Sequence, residues 1–398
     1  MLKRTIVSMP GDGIGKVVLD EAIRVLDAAG FEANNVGGDI GWEFWRSEGN
    51  PLPQRTLDLI AEHKIGLFGA ITSKPKDEAF NALSPELQEN GLVYASPIVG
   101  LRQHFGLDIC LRPCKTYKGN PLNFIRRGPN DSIQEPEVDV AIFRQNTEGL
   151  YGGVEWSNQP KHVYDALMTH PKFKQNFGDA PVEEVSVSTR IFTKKCTERI
   201  LRAAFEHATK YSYKSVTVCE KPNVIRETSG MMYKMAQEIQ KADFPEIELW
   251  NTNIDAQMMW LTKNPENYGV IVAGNMFGDI VSDGFAGLIG GLGFACSAQY
   301  NPETGIGVFE PTHGSAPKYA DYPISIVNPI AMVESACMML DFIDEQEIAK
   351  KIRKAVSDVV SEGKVKTYDM AKMTGKADVV DKDAASTVEM AEAIIAKL

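Results

Sequence analysis

Cysteine is scarce. Six occur in 398 residues, at Cys110, Cys114, Cys196, Cys219, Cys296 and Cys337. That density excludes a disulfide scaffold. Cys110 and Cys114 lie four apart rather than as a CxxC pair, and no Cys/His pair completes a zinc site. Reduced, semi-buried thiols are expected. Basic residues are in deficit, 42 Lys+Arg against 53 Asp+Glu, for a net charge of −11. A general nucleic-acid binder would carry a basic footprint, and docking on anionic lipid needs one too. Long apolar runs are also missing. The longest, FAGLIGGLGFAC (285–296), is far short of the roughly 20 residues that span a bilayer. The start, MLKRTIVSMPGDG, has no apolar signal-peptide core, so a cytoplasmic protein is expected. Repeats and low-complexity tracts are absent. What remains is ordinary for a globular chain: 43% hydrophobic and 24% charged residues, enough for a sizeable core. The length suggests two or three domains at roughly 150 residues each.

Nucleotide signatures are incomplete. PGDGIGK (10–16) has Gly11, Gly13 and Gly15, but Lys16 stands where GxGxxG needs a third spacing. A Walker A loop fails as well. Taken alone, this segment reads as a tight strand-to-helix turn. Any dinucleotide site must therefore lie outside the usual Rossmann loop.

The periodicity is that of an α/β fold. Apolar strands are expected from Thr5 and at 65–71, 138–143, 215–219 and 269–274. Helices are expected over the Val18, Ala22, Val25, Leu26, Ala29 stripe, at 194–210 and at 229–241. Ile348, Ile352, Ala355, Val356 and Val359 form another stripe. Gly30 fits a helix C-terminus, and Ser386 with Glu389 fits a capping box. Residues 152–190 lack a long period and read as an excursion, a small β element used in subunit contact.

Three groups carry candidate chemistry. In GNMFGDIVSDGFAG (274–287), Asp279 and Asp283 are four apart, which on a helix places both carboxylates on one face. No Lys or Arg neighbours them in the sequence to neutralise them, so a hard divalent cation, Mg²⁺ or Mn²⁺, suits the pair. Asp255, in an uncharged stretch, could complete the set. Lys221 and Tyr151 each follow a candidate strand, where α/β ligand sites gather. A Lys near a metal or in a dry pocket can serve as acid or base. Lastly, segment 101–127 carries +5 while the other residues carry −16. Arg102, Arg112 and Arg144 sit in apolar settings, and guanidinium forks there match carboxylates bidentately. Three of them point to a substrate with two or three carboxylates.

These motifs together resemble the metal-dependent decarboxylating β-hydroxyacid dehydrogenases, the isocitrate and isopropylmalate dehydrogenase family. The matching residues are PGDGIG (10–15), LRQ and DICLRP (101–113), IFRQNTEGLYGGVEW (142–156), EKPNV (220–224), Asp255, GNMFGDIVSD (274–283), FEPTHGSAPKYA (309–320) and VNP (327–329). They run in order along the whole chain. The resemblance implies an α/β fold that is not a standard Rossmann fold. It has a large cofactor-side domain (1–107 and 290–398), a small domain (108–148 and 194–289) and a clasp (149–193). It implies a homodimer with shared active sites. Arg102, Arg112 and Arg144 would clamp the substrate, with Ser96 beside them. Tyr151 would be the general acid, and Lys221 from the partner the general base. Asp255 (partner), Asp279 and Asp283 would hold Mg²⁺ or Mn²⁺. Thr72, Asn223, Glu310, His313, Gly314, Lys318, Tyr319, Asn328, Tyr368 and Lys372 would line the cofactor site. NAD-dependent members have Asp-Ile after HGSAP. Here Lys318-Tyr319 stands there, with Tyr368 and Lys372 behind it, which favours NADP over NAD. Lys372 lacks the fork of the usual Arg, and the Lys318 to Asn328 spacing is longer than the family pattern.

For substrate, Ser96, the Lys318-Tyr319 pair and the YGGVEW entry to the clasp favour isocitrate, a step of the tricarboxylic acid cycle. Ile98-Val99 favours isopropylmalate or a related 3-alkylmalate such as homoisocitrate. A non-catalytic regulatory subunit of the same fold is the alternative from another class, but such subunits usually lose the Tyr, the Lys or a metal Asp.

Overall fold

The computed structural model describes residues 4–398. The first three residues of the expected large domain lie outside them. Ten strands form one mixed sheet: β1 (Arg4–Gly11), β2 (Ala33–Gly37), β3 (Ile65–Ala70), β4 (Ile109–Lys115), β5 (Asp139–Gln145), β6 (Ser215–Glu220), β7 (Glu248–Asn253), β8 (Val270–Ala273), β9 (Cys296–Asn301) and β10 (Ile306–Pro311). Their spatial order is β7-β6-β8-β5-β4-β9-β10-β3-β1-β2. Pairing is parallel at both ends. It is antiparallel through the middle, where β5-β4, β4-β9 and β9-β10 meet. The left half of that order comes from 108–148 and 194–289, and the right half from the chain ends, so β4 and β9 form the seam.

The central strands are buried on both faces and consist of apolar or hydrogen-bonded residues, as flanking helices require. Helix α1 (Gly15–Ala29) turns Val18, Ala22, Val25, Leu26 and Ala29 inward and ends at Gly30, whose φ is +93°. It packs on α6 (Ile330–Phe342) and α8 (Thr387–Ile395). Each Val or Leu so buried contributes about 1.5–3 kcal/mol, and Val25→Asp would break the packing. The capping box expected at Ser386 and Glu389 is present, with both reciprocal bonds. Helix α7 (Gln346–Glu362) buries Ile352, Ala355, Val356 and Val359 from the expected stripe. The remaining helices near the site are α2 (Pro97–Phe105), α3 (Lys194–Lys210), α4 (Thr228–Asp243) and α5 (Asn275–Leu288).

The 152–190 excursion contains the expected β element, but as a ladder of two-residue strands, Glu155–Trp156 against Val187–Ser188. Two short helices, Lys161–Met168 and Pro171–Phe177, fill it, and neither has a buried residue. All six cysteines are free thiols. Among the described residues, no helix is long and apolar enough to cross a membrane.

Candidate active site

The site is built where β4, β5 and α5 meet. Arg112 from β4 and Arg144 from β5 point the same way because Arg144 pairs with Cys110, two residues from Arg112 on the same face. Helix α5 lies directly over Arg144. It can do so because Gly278 has no side chain, and a Cβ there would come within 2.8 Å of the Arg144 Cβ and Cγ. Asp279, the next residue, and Asp283, one turn after it, project from the same helix.

Arg112 Nη1 donates to Asp279 Oδ1 at 2.9 Å, to Ser282 Oγ at 2.8 Å and to Asp283 Oδ1 at 3.4 Å. Arg144 Nη1 donates to the same Asp279 oxygen. Its Nε and Nη2 both donate to Asn275 Oδ1, at 3.0 and 2.9 Å. Tyr151 OH donates to Asp279 Oδ2 at 3.4 Å, and the Arg144 guanidinium stands 5.5 Å from the Tyr151 ring centre. Arg102, from α2, donates to Gln299 on β9 and to Glu310 Oε1 at 3.1 Å. All three arginines are buried. Burial, reinforced by the charge of Arg112, lowers the Arg144 pKa to about 10. Burial raises the Asp283 carboxyl against the pull of Arg112. The Tyr151 phenol is raised by burial and by Asp279, so it stays protonated. The result is a floor of three buried guanidiniums with two carboxylates at its edge, a donor set suited to a polyanion.

Lys221 and Asp255 form a separate group at the ends of β6 and β7. Lys221 Nζ is ion-paired with Asp255, and that bond holds the exposed Asp255 carboxyl below its ordinary pKa. Among the described residues, no hydrogen bond or ion pair joins this group to Asp279, Asp283 or Tyr151, and no three acids, cysteines or histidines gather as a metal cage. The hard oxygen donors of Asp279 and Asp283 fit half of a divalent-cation site.

The expected cofactor residues collect along the right half of the sheet. Ile14 N donates to Ser315 O at 3.0 Å, and Thr72 Oγ1 bonds Ser315 Oγ at 2.6 Å. The PGDGIG segment is a strand-to-helix turn. Gly13 has φ +56°, and a Cβ there would strike Ser315 O at 2.1 Å. The turn carries Asp12, whose carboxylate accepts Trp42 N at 2.7 Å and Thr72 N at 2.8 Å beside a cavity of about 790 Å³. Further along, the Tyr319 and Tyr368 rings lie 5.5 Å apart, with Lys318 Nζ 5.3 Å from the Tyr319 ring centre. Asn328 bonds Asp369 at 3.2 Å, close in sequence to the exposed Lys372. The ring of His313 is kept neutral by burial and bonds the carbonyl of the adjacent Gly314. Its Nε2 is buried without a partner, a polar atom of the kind an adenine edge would satisfy. These residues fit a dinucleotide. Asn223 lies exposed beyond Lys221, away from them. Glu310 is engaged with Arg102 rather than open to a cofactor. Ser96 sits at the N-terminus of α2 with its hydroxyl making no cap bond.

The family model for isocitrate/isopropylmalate dehydrogenase matches residues 5–394. The chain belongs to the isocitrate/isopropylmalate dehydrogenase family. This is a family of decarboxylating dehydrogenases. Among relatives of this family member, homoisocitrate dehydrogenase of Methanocaldococcus jannaschii is 36% identical over 372 residues, covering 94% of each chain. Protein DlpA of Legionella pneumophila is 37% identical over 392 residues, and the match spans 98% of this chain but 58% of DlpA. The solved isocitrate dehydrogenase of Methylococcus capsulatus superposes with a TM-score of 0.80 at 32% identity over 99% of both chains.

Several residues of the site went unseen in the sequence. Gln299 and Asn275 orient two of the arginines. Glu220 is fully buried and accepts from Gly274 N (2.7 Å), Arg190 (2.8 Å) and Ser229, so it fixes the start of α5 beside Lys221. Glu220 is adjacent to Lys221 in EKPNV, the one signal that could have found it.

Proposed function

We propose that the protein catalyses NAD(P)-dependent oxidative decarboxylation of a malate-type β-hydroxyacid, with isocitrate to 2-oxoglutarate and CO₂ as the first reading. The observation that carries it is the convergence of buried Arg112 and Arg144 on Asp279, with buried Arg102 contributed by helix α2. Three fixed guanidiniums suit a substrate with up to three carboxylates. Isopropylmalate or homoisocitrate is the second reading, because Ile98 is buried on α2 beside Ser96 and the named relatives divide among all three substrates.

The arginines bind and orient the carboxylates. Lys221 takes the hydroxyl proton as hydride departs, and Tyr151, still protonated at neutral pH, returns a proton to the carbon left by CO₂. Such groups contribute about 10²–10⁴-fold each. A bound nicotinamide would supply the hydride acceptor, and Mg²⁺ or Mn²⁺, which Asp279, Asp283 and a partner's acid would hold, would supply Lewis acidity. Lys221 and Asp255 stand apart from Tyr151 within one chain, which supports a homodimer with shared sites. Lys318, Tyr319, Tyr368 and Lys372 support NADP over NAD, since cationic and hydroxyl groups suit a 2′-phosphate. Free thiols accord with a cytoplasmic setting. A non-catalytic subunit is disfavoured because Tyr151, Lys221 and all three acids are present.

The test is a panel of isocitrate, homoisocitrate, 3-isopropylmalate, tartrate and malate with each cofactor and Mn²⁺. Reduction of NADP by isocitrate is expected. No reduction with any pair would overturn the reading.

A further inference from the structure

The arginine floor has a reverse side. Along β4, Cys110, Arg112 and Cys114 face the site, so Ile109, Leu111 and Pro113 face the other way. Along β9, Gln299 faces Arg102, while Ala298 and Tyr300 face away. Ala298 pairs with Leu111, and Tyr300 with Ile109. These back-facing residues floor a cavity of about 1350 Å³. It is larger than most small-molecule sites, which run to roughly 1,000 Å³. Helix α3 walls it on one side, and α6 and α7 on the other, so it bridges the β4–β9 seam.

Its lining is aromatic on both walls. His207 lies 4.4 Å from the Tyr211 ring and stacks on Tyr213 at 5.8 Å. Opposite, Tyr300 and Phe309 each pack on Phe342, at 5.8 and 5.4 Å. Charged groups at the ends are mostly satisfied: Arg353 bonds Glu334 and Asp341, and Tyr117 donates to Glu334 at 2.5 Å. The Tyr300 hydroxyl is different. Burial keeps it a neutral phenol, and it has no hydrogen-bond partner among the described residues. Its ring is only partly buried, so the hydroxyl opens into the cavity that Tyr300 lines.

We propose that this cavity is a second ligand site, for a planar aromatic compound with a hydrogen-bonding edge for Tyr300, and that its occupancy is sensed by the arginine floor on the other face of β4 and β9. Neighbouring residues of one strand line both sites, so a ligand that displaces Leu111 or Ala298 also moves Arg112 or Gln299. The coupling rests on the reading of the front face as the substrate floor; the binding does not.

Anilinonaphthalene sulfonate, an aromatic amphiphile, is the probe. Fluorescence titration of the full chain should give saturable binding, one per chain. Ala203→Trp fills the cavity from α3 and should weaken binding at least tenfold. Tyr300→Phe removes one oxygen and should weaken it roughly three- to tenfold. Wild-type affinity in both variants, or no saturable binding by the wild type, overturns the site. If Ala203→Trp fails to fold, Tyr300→Phe decides. The coupling is read without turnover, by the thermal stabilisation that citrate confers. The probe should change the citrate concentration for half-maximal stabilisation at least twofold, and an unchanged value overturns the coupling. Failure of the proposed reaction would leave both measurements interpretable.

Discussion

Asp279→Asn tests the electrostatics of the site without any assay of turnover. In the free protein one carboxylate oxygen neutralises two guanidiniums whose side chains are 9% and 3% exposed, Arg112 and Arg144. Asparagine keeps the shape but removes the charge, leaving two like charges buried side by side. Breaking a buried pair costs about 3–5 kcal/mol. The Asp279 side chain is 29% exposed, so water recovers part of this and about 2–3 kcal/mol is expected. An unfolding entropy of about 2.1 cal/mol/K per residue makes that a fall in Tm of about 3 °C for a chain of 398 residues. Differential scanning calorimetry reads it directly. Citrate should then restore more stability to the variant than to the wild type, because its carboxylates replace the missing charge. A citrate level of 100 times Kd adds about 2.7 kcal/mol to any binder, and the variant should gain about 1 kcal/mol beyond the wild type's increment. Asp283→Asn is the control. Its side chain is 61% exposed, and under about 1 kcal/mol is expected. A Tm for Asp279→Asn within 1 °C of wild type, or equal citrate increments, would refute the argument.

Shared sites predict complementation. Lys221→Met and Asp279→Asn should each lose activity about 100-fold or more, and refolding them together should restore a portion, since a mixed dimer keeps one intact site; an inactive mixture would exclude sharing. Burial lowers the His207 pKa to about 4, below its unfolded value of 6.5. Its neutral form therefore favours folding above pH 6.5, and that contribution fades as pH falls towards 4. Between pH 7 and 5 the wild type should lose about 2 kcal/mol that His207→Phe does not, measured by urea denaturation; parallel losses would count against it. Lys318→Asp with Tyr319→Ile should move the ratio of kcat/KM for NADP over NAD towards NAD at least tenfold, and an unmoved ratio would remove those residues from the cofactor site.

Regular elements were legible where one face had to be buried. The α1 and α7 stripes, the Gly30 terminus and the Ser386 capping box all appear in the structure, because local chemistry and tertiary packing agree there. The helices of the excursion were not legible. They bury no residue, so they have no apolar face to show a period of 3.6. Strand β9 was missed for the opposite reason. Ser297, Gln299 and Asn301 are polar yet buried, which is stable only through partners. One of those partners, Arg102, is 197 residues away. The three arginines were found from their apolar surroundings, and all are buried. What held them, Asn275 and Gln299, could not be read, because contacts so distant in sequence leave no local pattern.

The two-faced strand β4 bears on how the gene can tolerate change. Deleting or adding one residue within 109–115 would rotate every later side chain to the opposite face. Leu111 or Pro113 would then enter the anion floor, and a guanidinium would enter the aromatic cavity. Length variation should therefore be nearly forbidden in that strand and common among the unburied helices and turns of 160–186. A library of single-codon deletions, selected in a host that depends on the protein's activity and is given none of its product, would display that contrast as a map.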